Sequence, residues 1–267
     1  MPGSFSRAKR SSSSNQSTQP KEPALSCNHP FAVLLANGWE STHPSRQSIY
    51  EKQILTSPKH MPGRLLARAF FEAPPEFVAP RLLGKLFSHR TRAGVLAGRI
   101  VEVEAYLGPH NDPPDPAAHT HRGPTPRNQV LFGPAGFAYV YSIYGMYFCA
   151  NISCEVEGRG GGILLRALKP ISGFEQMAKN RGLEPGAPHR LLTSGPSRLC
   201  QALGLTRLAH NGLDLLDPAS PLQVRDDGCP ALDPLVTVRI GIRHAVDWPL
   251  RFALRGHACV SGPKSMR

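Results

Sequence analysis

No stretch of the 267-residue sequence approaches the roughly 20 consecutive apolar residues needed to span a bilayer, and no basic amphipathic helix stands out. No membrane partner is expected. None of the six cysteines (Cys27, Cys149, Cys154, Cys200, Cys229 and Cys259) sits in a CxxC pair, and no secretory signal precedes them convincingly. They read as reduced thiols, several in apolar context as small core residues. Paired metal ligands are lacking too. His119 and His121 form an HxH, but structural zinc normally shows short-spaced ligands in both halves of its site. Metal binding is not expected. Acidic residues are few, 19 against 31 Lys and Arg, which gives a formal charge of +12 and an isoelectric point near 9.8. That excess favours an anionic partner, and nucleic acid is the commonest one.

The length suggests one or two domains with a sizeable core. Residues 1 to 60 differ from the rest: SRAKRSSSSNQSTQPKEP is Ser-rich, polar and basic, with too little apolar surface to offset the entropy of ordering it. A disordered extension is expected there. The run Phe31 to Ala36 is too short and too late for a secretory signal, and Glu22, Glu40 and Glu51 count against a transit peptide. Met61 is a plausible alternative start, which would leave residues 1 to 60 untranslated. Residues 61 to 267 carry 24 Lys and Arg against 16 Asp and Glu, so the folded part is itself basic.

From Arg64 the chain opens with short helices. One is expected with Pro80 in its first turn and Gly84 at its end. Lys85 to Arg90 and Val95 to Tyr106 then read as two strands across the turn Thr91 to Gly94. The second strand runs into RIVEVEAYLG, Arg99 to Gly108. Unbroken alternation places Val101, Val103 and Ala105 on one face and Ile100, Glu102, Glu104 and Tyr106 on the other. Either the acidic face is wet, or its carboxylates are buried for pairing or chemistry. A loop follows, with proline at 109, 113, 114, 116, 124 and 126, carrying His119, Arg122, Arg127 and Asn128.

Gly136 to Ser153 holds five tyrosines and phenylalanines between Tyr139 and Phe148, around an expected tight turn at Tyr144 and Gly145. Tyr139, Tyr147 and Phe148 are expected to pack inward as strand residues. Tyr144, at the tip, is expected to be exposed and to stack on or wedge between bases. Beyond it, Gly162 to Leu168 is an apolar strand interrupted by Arg166. Ser172 and Glu175 suggest a capping box for a helix reaching Asn180. Ser194 to Arg198 opens a helix ending near Gly204, whose first turn with Arg198 could hold a phosphate. Leu235 to Ile242 and Leu250 to Leu254 read as late strands.

Six ordered motifs, EVEAYLG, AAH, TPRN, YVYSIYGMYFCANIS, LLRALKP and SGPSRLCQALGL, resemble those of the alkyladenine (3-methyladenine) DNA glycosylase family. The resemblance runs from about Leu65 to Ser261, and no part of residues 1 to 60 takes part. It implies one mixed α/β glycosylase domain over residues 61 to 267, with an antiparallel sheet, short flanking helices and a protruding hairpin, similar to the C-terminal domain of methionyl-tRNA formyltransferase. By the same resemblance Glu104 is the general base, and Tyr106, His119 and Tyr141 sandwich the extruded base. Tyr144 fills the gap left in the minor groove, Asn151 discriminates against the exocyclic amine of guanine, and Arg166 lies near the flipped nucleotide. Arg122, Arg127, Asn128 and Arg198 are the further candidates for DNA contact. The segment between Tyr106 and His119 is longer than the family pattern around Asp112 to Asp115, so stacking His119 opposite Tyr106 requires that insertion to bulge outward.

The expected function is excision of alkylated or deaminated purines, such as 3-methyladenine and hypoxanthine, from double-stranded DNA, initiating base-excision repair. A glycosylase cannot reach the bond inside a duplex and must extrude the nucleotide. No cofactor is implied, and a monomer is expected, acting at the nucleoid of a bacterium or in a eukaryotic nucleus. A Schiff-base lyase would need an amine at the sugar. Beyond residue 60 only Lys85, Lys169, Lys179 and Lys264 occur, none in the stretches Arg99 to Gly108 or His119 to Asn151. Two alternatives are a non-catalytic nucleic-acid module of the tRNA-binding type and a sugar hydrolase using Glu102 and Glu104 as a carboxylate pair.

Overall fold

The computed structural model describes residues 61–230 and 233–263; the expected disordered or untranslated extension, residues 1 to 60, lies outside the described residues. In chain order the strands are β1 (Arg64–Leu65), β2 (Leu86–Thr91), β3 (Gly94–Tyr106), β4 (Ala138–Ile143), β5 (Tyr147–Cys154), β6 (Gly161–Ser172), β7 (Leu222–Asp226), β8 (Pro234–Thr237) and β9 (Arg251–Leu254). The short α-helices are α1 (Pro75–Leu82), α2 (Phe174–Asn180), α3 (His189–Thr193), α4 (Pro196–Leu203) and α5 (Arg207–His210). This is a mixed α/β fold on one curled antiparallel sheet, ordered β1-β7-β2-β3-β6-β5-β4, with β9 paired to β3 and β8 to β9.

β3 is the hub because it is long enough to change partners along one edge. Its first half pairs with β2 across the expected Thr91–Gly94 turn. Its second half pairs with β9, Glu102 opposite Ala253 and Glu104 opposite Arg251, while β6 follows the other edge from Ala97 to Tyr106. Between Ile100 and Val103 the register with β6 slips, as a bulge requires. The slip rearranges the faces expected from alternation. Ile100, Val103 and Ala105 enter the main core, whereas Val101 packs with Ala167, Ala253, Cys259 and Val260 in a smaller cluster. An extra residue in one strand moves the side chains beyond it to the opposite face. Glu102 and Glu104 are then buried completely, so the acidic face is not wet.

Other elements differ from expectation for local reasons. α1 begins at Pro75, a position where the missing N–H is harmless, and Pro80 lies inside it rather than in its first turn. The capping box at Ser172 is not formed: Gly173 takes the N-cap at φ 79°, and the Ser172 hydroxyl donates to the Val95 carbonyl instead. α4 matches expectation, from Pro196 at its start to Gly204 at φ 67°. β8 stops at Thr237 instead of continuing to Ile242.

The main core gathers Val78 and Leu82 of α1 and Leu199 and Leu203 of α4 against Ile152, Ile163 and Leu165 of the sheet. Each such side chain contributes about 1.5–3 kcal/mol on burial. Among the described residues no helix is long and apolar enough to cross a membrane, and Cys149, Cys154, Cys200 and Cys259 are reduced thiols, all buried.

Candidate active site

The acids of β3 are held by a set of buried partners. Glu102 Oε1 accepts from Arg166 Nε at 2.9 Å, from Arg251 Nε at 2.8 Å and from the Ser261 hydroxyl at 2.8 Å, and Oε2 accepts from the Ser261 amide at 2.6 Å. Burial alone would raise its pKa; the two guanidiniums and the Ser261 amide outweigh that and hold it below the ordinary value. Glu104 Oε1 accepts from the Ile240 amide at 2.7 Å and lies 3.1 Å from Arg166 Nη1. Its Oε2 accepts from the Tyr106 hydroxyl at 3.0 Å. Burial opposes the charge on Arg166, yet Glu104 and Glu102 raise its pKa further. Desolvation, reinforced by Glu104, likewise pushes up the Tyr106 phenol, so it stays protonated and donates.

Above this floor opens a cavity of about 360 Å³, lined among others by Tyr106, His119, Tyr141, Asn151, Arg166 and Ile240. That size lies within the range of small-molecule sites. Glu104 is fully buried, and three of its hydrogen-bonding partners (Tyr106, Arg166 and Ile240) line the cavity. Tyr141 and Tyr139 stack at 5.3 Å, and His119 stands edge-on to Tyr141 at 4.5 Å. His119 Nδ1 is 3.1 Å from the Tyr139 hydroxyl. Burial, with Arg127 adding to it, lowers the His119 pKa and favours a neutral ring. Asn151 donates to the Tyr139 carbonyl across the β4–β5 pair. The structure therefore brings the expected pocket residues Tyr106, His119, Tyr141, Asn151 and Arg166 to one cavity, with Glu104 beneath.

The candidates for DNA contact divide. Tyr144 is 89% exposed at the hairpin tip, with φ 48° and Gly145 at φ 75°. Arg122 is exposed on an outer groove beside His119 and His244. Arg127 is exposed with its guanidinium 5.7 Å from the Tyr141 ring, and Arg198 is exposed on α4. Asn128 departs from expectation. It is buried, and its amide accepts from Thr125 N and donates to the His119 and Gly123 carbonyls, so it braces the loop from inside. Tyr147 is also corrected, being 42% exposed rather than packed inward. Tyr139 is buried as expected.

Several residues of the site carry no local signal: Asp115, Arg239, Ile240, Arg251 and Ser261. Gly241, at φ 78°, is the one hint in the sequence that the alternation Val236, Val238, Ile240 does not continue as a strand. The proline-rich loop is anchored by Asp115, fully buried, which accepts from Leu107 N and Ala117 N.

The pattern of the methylpurine-DNA glycosylase family matches residues 69–258. The chain belongs to the methylpurine-DNA glycosylase family. A relative from Koribacter versatilis is 52% identical over 199 residues, 74% of this chain and 94% of its own. Relatives from Burkholderia lata (46% over 207 residues, 77% and 95%) and Methanoculleus marisnigri (48% over 200 residues, 73% and 98%) are comparably similar. All three are provisionally named 3-methyladenine DNA glycosylases. As a member of the family this protein is a monofunctional DNA glycosylase, a hydrolase of N-glycosyl bonds that acts on alkylated bases in DNA. A non-catalytic binding module is thereby set aside. So is the carboxylate pair, because both oxygens of Glu102 are spent on Arg166, Arg251 and Ser261.

Proposed function

We propose that the enzyme extrudes a damaged purine, alkylated as in 3-methyladenine or deaminated as in hypoxanthine, through the minor groove into the Tyr106–Tyr141–His119 cavity. There Glu104 activates the water that hydrolyses the N-glycosidic bond. The observation that carries this reading is the buried Glu104 carboxylate directly beneath an aromatic cavity. Oε1 already accepts from Ile240 N and lies against Arg166, whereas Oε2 accepts only the Tyr106 proton among the bonds described. A carboxylate oxygen has room for a second acceptor bond, and Oε2 is the atom that takes the water proton. The water oxygen then bonds to C1′ and the base leaves with the electron pair of the broken bond.

A cationic base such as 3-methyladenine leaves neutral, while hypoxanthine needs a proton on departure. The aromatic walls favour the cationic base by cation–π attraction, and Tyr144 occupies the space the nucleotide vacates. The enzyme acts as a monomer wherever duplex DNA lies, nucleoid or nucleus.

The test is excision from a labelled duplex with one hypoxanthine opposite thymine, followed by alkali, and in parallel from methylated DNA. Glu104→Gln is expected to lower the single-turnover rate by about 10²–10⁴-fold, the usual contribution of a general base. Wild-type rates in Glu104→Gln on both substrates would overturn the proposal.

A further inference from the structure

Beside the active site lies a second buried ion pair that touches neither the cavity nor solvent. Arg239 and Asp115 are each 0% exposed at the side chain. Arg239 Nη1 donates to Asp115 Oδ2 at 2.5 Å and Nη2 donates to Oδ1 at 3.0 Å, a two-pronged fork. Nη1 also donates to the Ala105 carbonyl at 3.1 Å, and Asp115 Oδ2 accepts from Leu107 N at 3.1 Å. The pair thus grips the backbone on both sides of Tyr106, where β3 ends. The Arg239 guanidinium lies 4.6 Å from the Tyr106 ring centroid. Its Nε has no hydrogen-bond partner among the described residues, so its placement follows the fork and the ring rather than complete hydrogen bonding.

Three walls of the cavity leave from this pair. Tyr106 is the end of β3. Asp115 precedes Pro116, Ala117, Ala118 and His119, which line the cavity. Arg239 precedes Ile240, whose amide donates to Glu104 and whose side of the cavity continues through Gly241 and Ile242.

We propose that Asp115 and Arg239 are positioning residues that set the Tyr106 ring and the Ile240 amide in one geometry, so that the stacked base and the Glu104 carboxylate are aligned by a single lock. The inference rests on the reading of Glu104 as general base. A planar, two-pronged guanidinium can hold β3, the ring and the loop at once. An ammonium keeps the charge but offers neither the fork nor a plane to lay on the ring.

Arg239→Lys tests this in the intact protein. Misplacement of reacting groups by about 1 Å can reduce a rate about 100-fold. The expected result is a single-turnover excision rate at least about tenfold lower, with affinity for a duplex carrying a tetrahydrofuran abasic analogue within about threefold of wild type, because that ligand has no base to stack. If Arg239→Lys does not fold, the neutral pair Asp115→Asn with Arg239→Gln, which buries no unmatched charge, is measured instead with the same expectation. An excision rate within about twofold of wild type, or an equal fall in rate and abasic-duplex affinity, would overturn the inference. Glu104→Gln, run alongside, separates the two readings: a dead Glu104→Gln with a fully active Arg239→Lys refutes the lock alone, whereas an active Glu104→Gln refutes the reading on which it rests.

Discussion

The floor of the cavity and the tip of the β4–β5 hairpin are opposites. At the floor, Glu102, Glu104, Arg166 and Arg251 are buried together and each charge is matched by another. At the tip, Tyr144 is 89% and Met146 70% exposed, on a turn with two successive residues at positive φ. In a low dielectric every charge depends on its neighbours, and removing one leaves another stranded. An exposed apolar tip has the reverse character: nothing in the folded protein depends on it, and its surface is left to be buried against something else. On the proposed reading, chemistry is placed where the protein is most constrained, and entry into the duplex where it is least.

The contrast is broken most severely at Glu102. Glu102→Gln removes the carboxylate shared by Arg166 and Arg251, leaving two buried guanidiniums with Glu104 as the remaining acid of the group. A loss of about 3–5 kcal/mol in unfolding free energy is expected, as for other buried pairs with one partner removed. Urea titration followed by fluorescence reads it. A loss below about 1 kcal/mol would mean that the floor behaves as a solvated surface pair, and the contrast with the tip would vanish.

Tyr144→Ala probes the other side. Stability is expected to stay within about 0.5 kcal/mol of wild type, because the ring has no packing to lose. Affinity for a hypoxanthine-containing duplex is expected to fall by about 1–3 kcal/mol, the usual contribution of one base–aromatic contact. Fluorescence anisotropy at fixed salt measures it. A large drop in stability with unchanged affinity would reverse the roles assigned to the two regions.

How far the sequence alone could reach follows the same division. Tyr144 is legible because a tight turn and an aromatic residue at its centre are local facts. The hairpins β2–β3 and β4–β5 are legible for that reason too. Asp115 with Arg239, 124 residues apart, and Glu102 with Ser261, 159 residues apart, leave no trace in any window of sequence. The bulge between Ile100 and Val103 is equally hidden: both faces of β3 are buried, so no solvent-facing period exists to reveal the slip. Asn128 misleads because a polar residue in a proline-rich loop reads as exposed, whereas its amide is consumed in bracing the loop that carries His119. Glu104 and the pocket residues are identified by resemblance to the family, and the physical reading of alternation by itself left a wet acidic face open.

The smallest effect concerns a buried pair with no counter-charge among the described residues, which shows what the matched charges of the floor achieve. His89 and His210 approach at 3.2 Å between their Nε2 atoms. His89 Nδ1 is 2.7 Å from the Leu203 carbonyl and so carries the hydrogen, which leaves its Nε2 to accept from His210; His210 Nδ1 accepts from the Thr206 amide at 3.0 Å. Both rings are neutral in this arrangement. Burial, ahead of every partner, lowers both pKa values from 6.5. The unfolded chain therefore binds protons at a higher pH than the folded one. Stability contributed by the pair is complete above about pH 6.5 and falls as the pH drops from there towards the lowered folded values, by up to about 1.4 kcal/mol per pH unit for each proton taken up. Glu102 behaves differently, because its own pKa is lowered from 4.5 and its contribution is lost only below that pH. Unfolding free energies measured from pH 7.5 to 5 should decline in the wild type and decline less in His210→Gln, while the slope below pH 4.5 should be shared by both proteins. An identical pH 7.5–5 slope in the variant would show that burial without counter-charge leaves this pair as indifferent to protons as the charged floor is over that range.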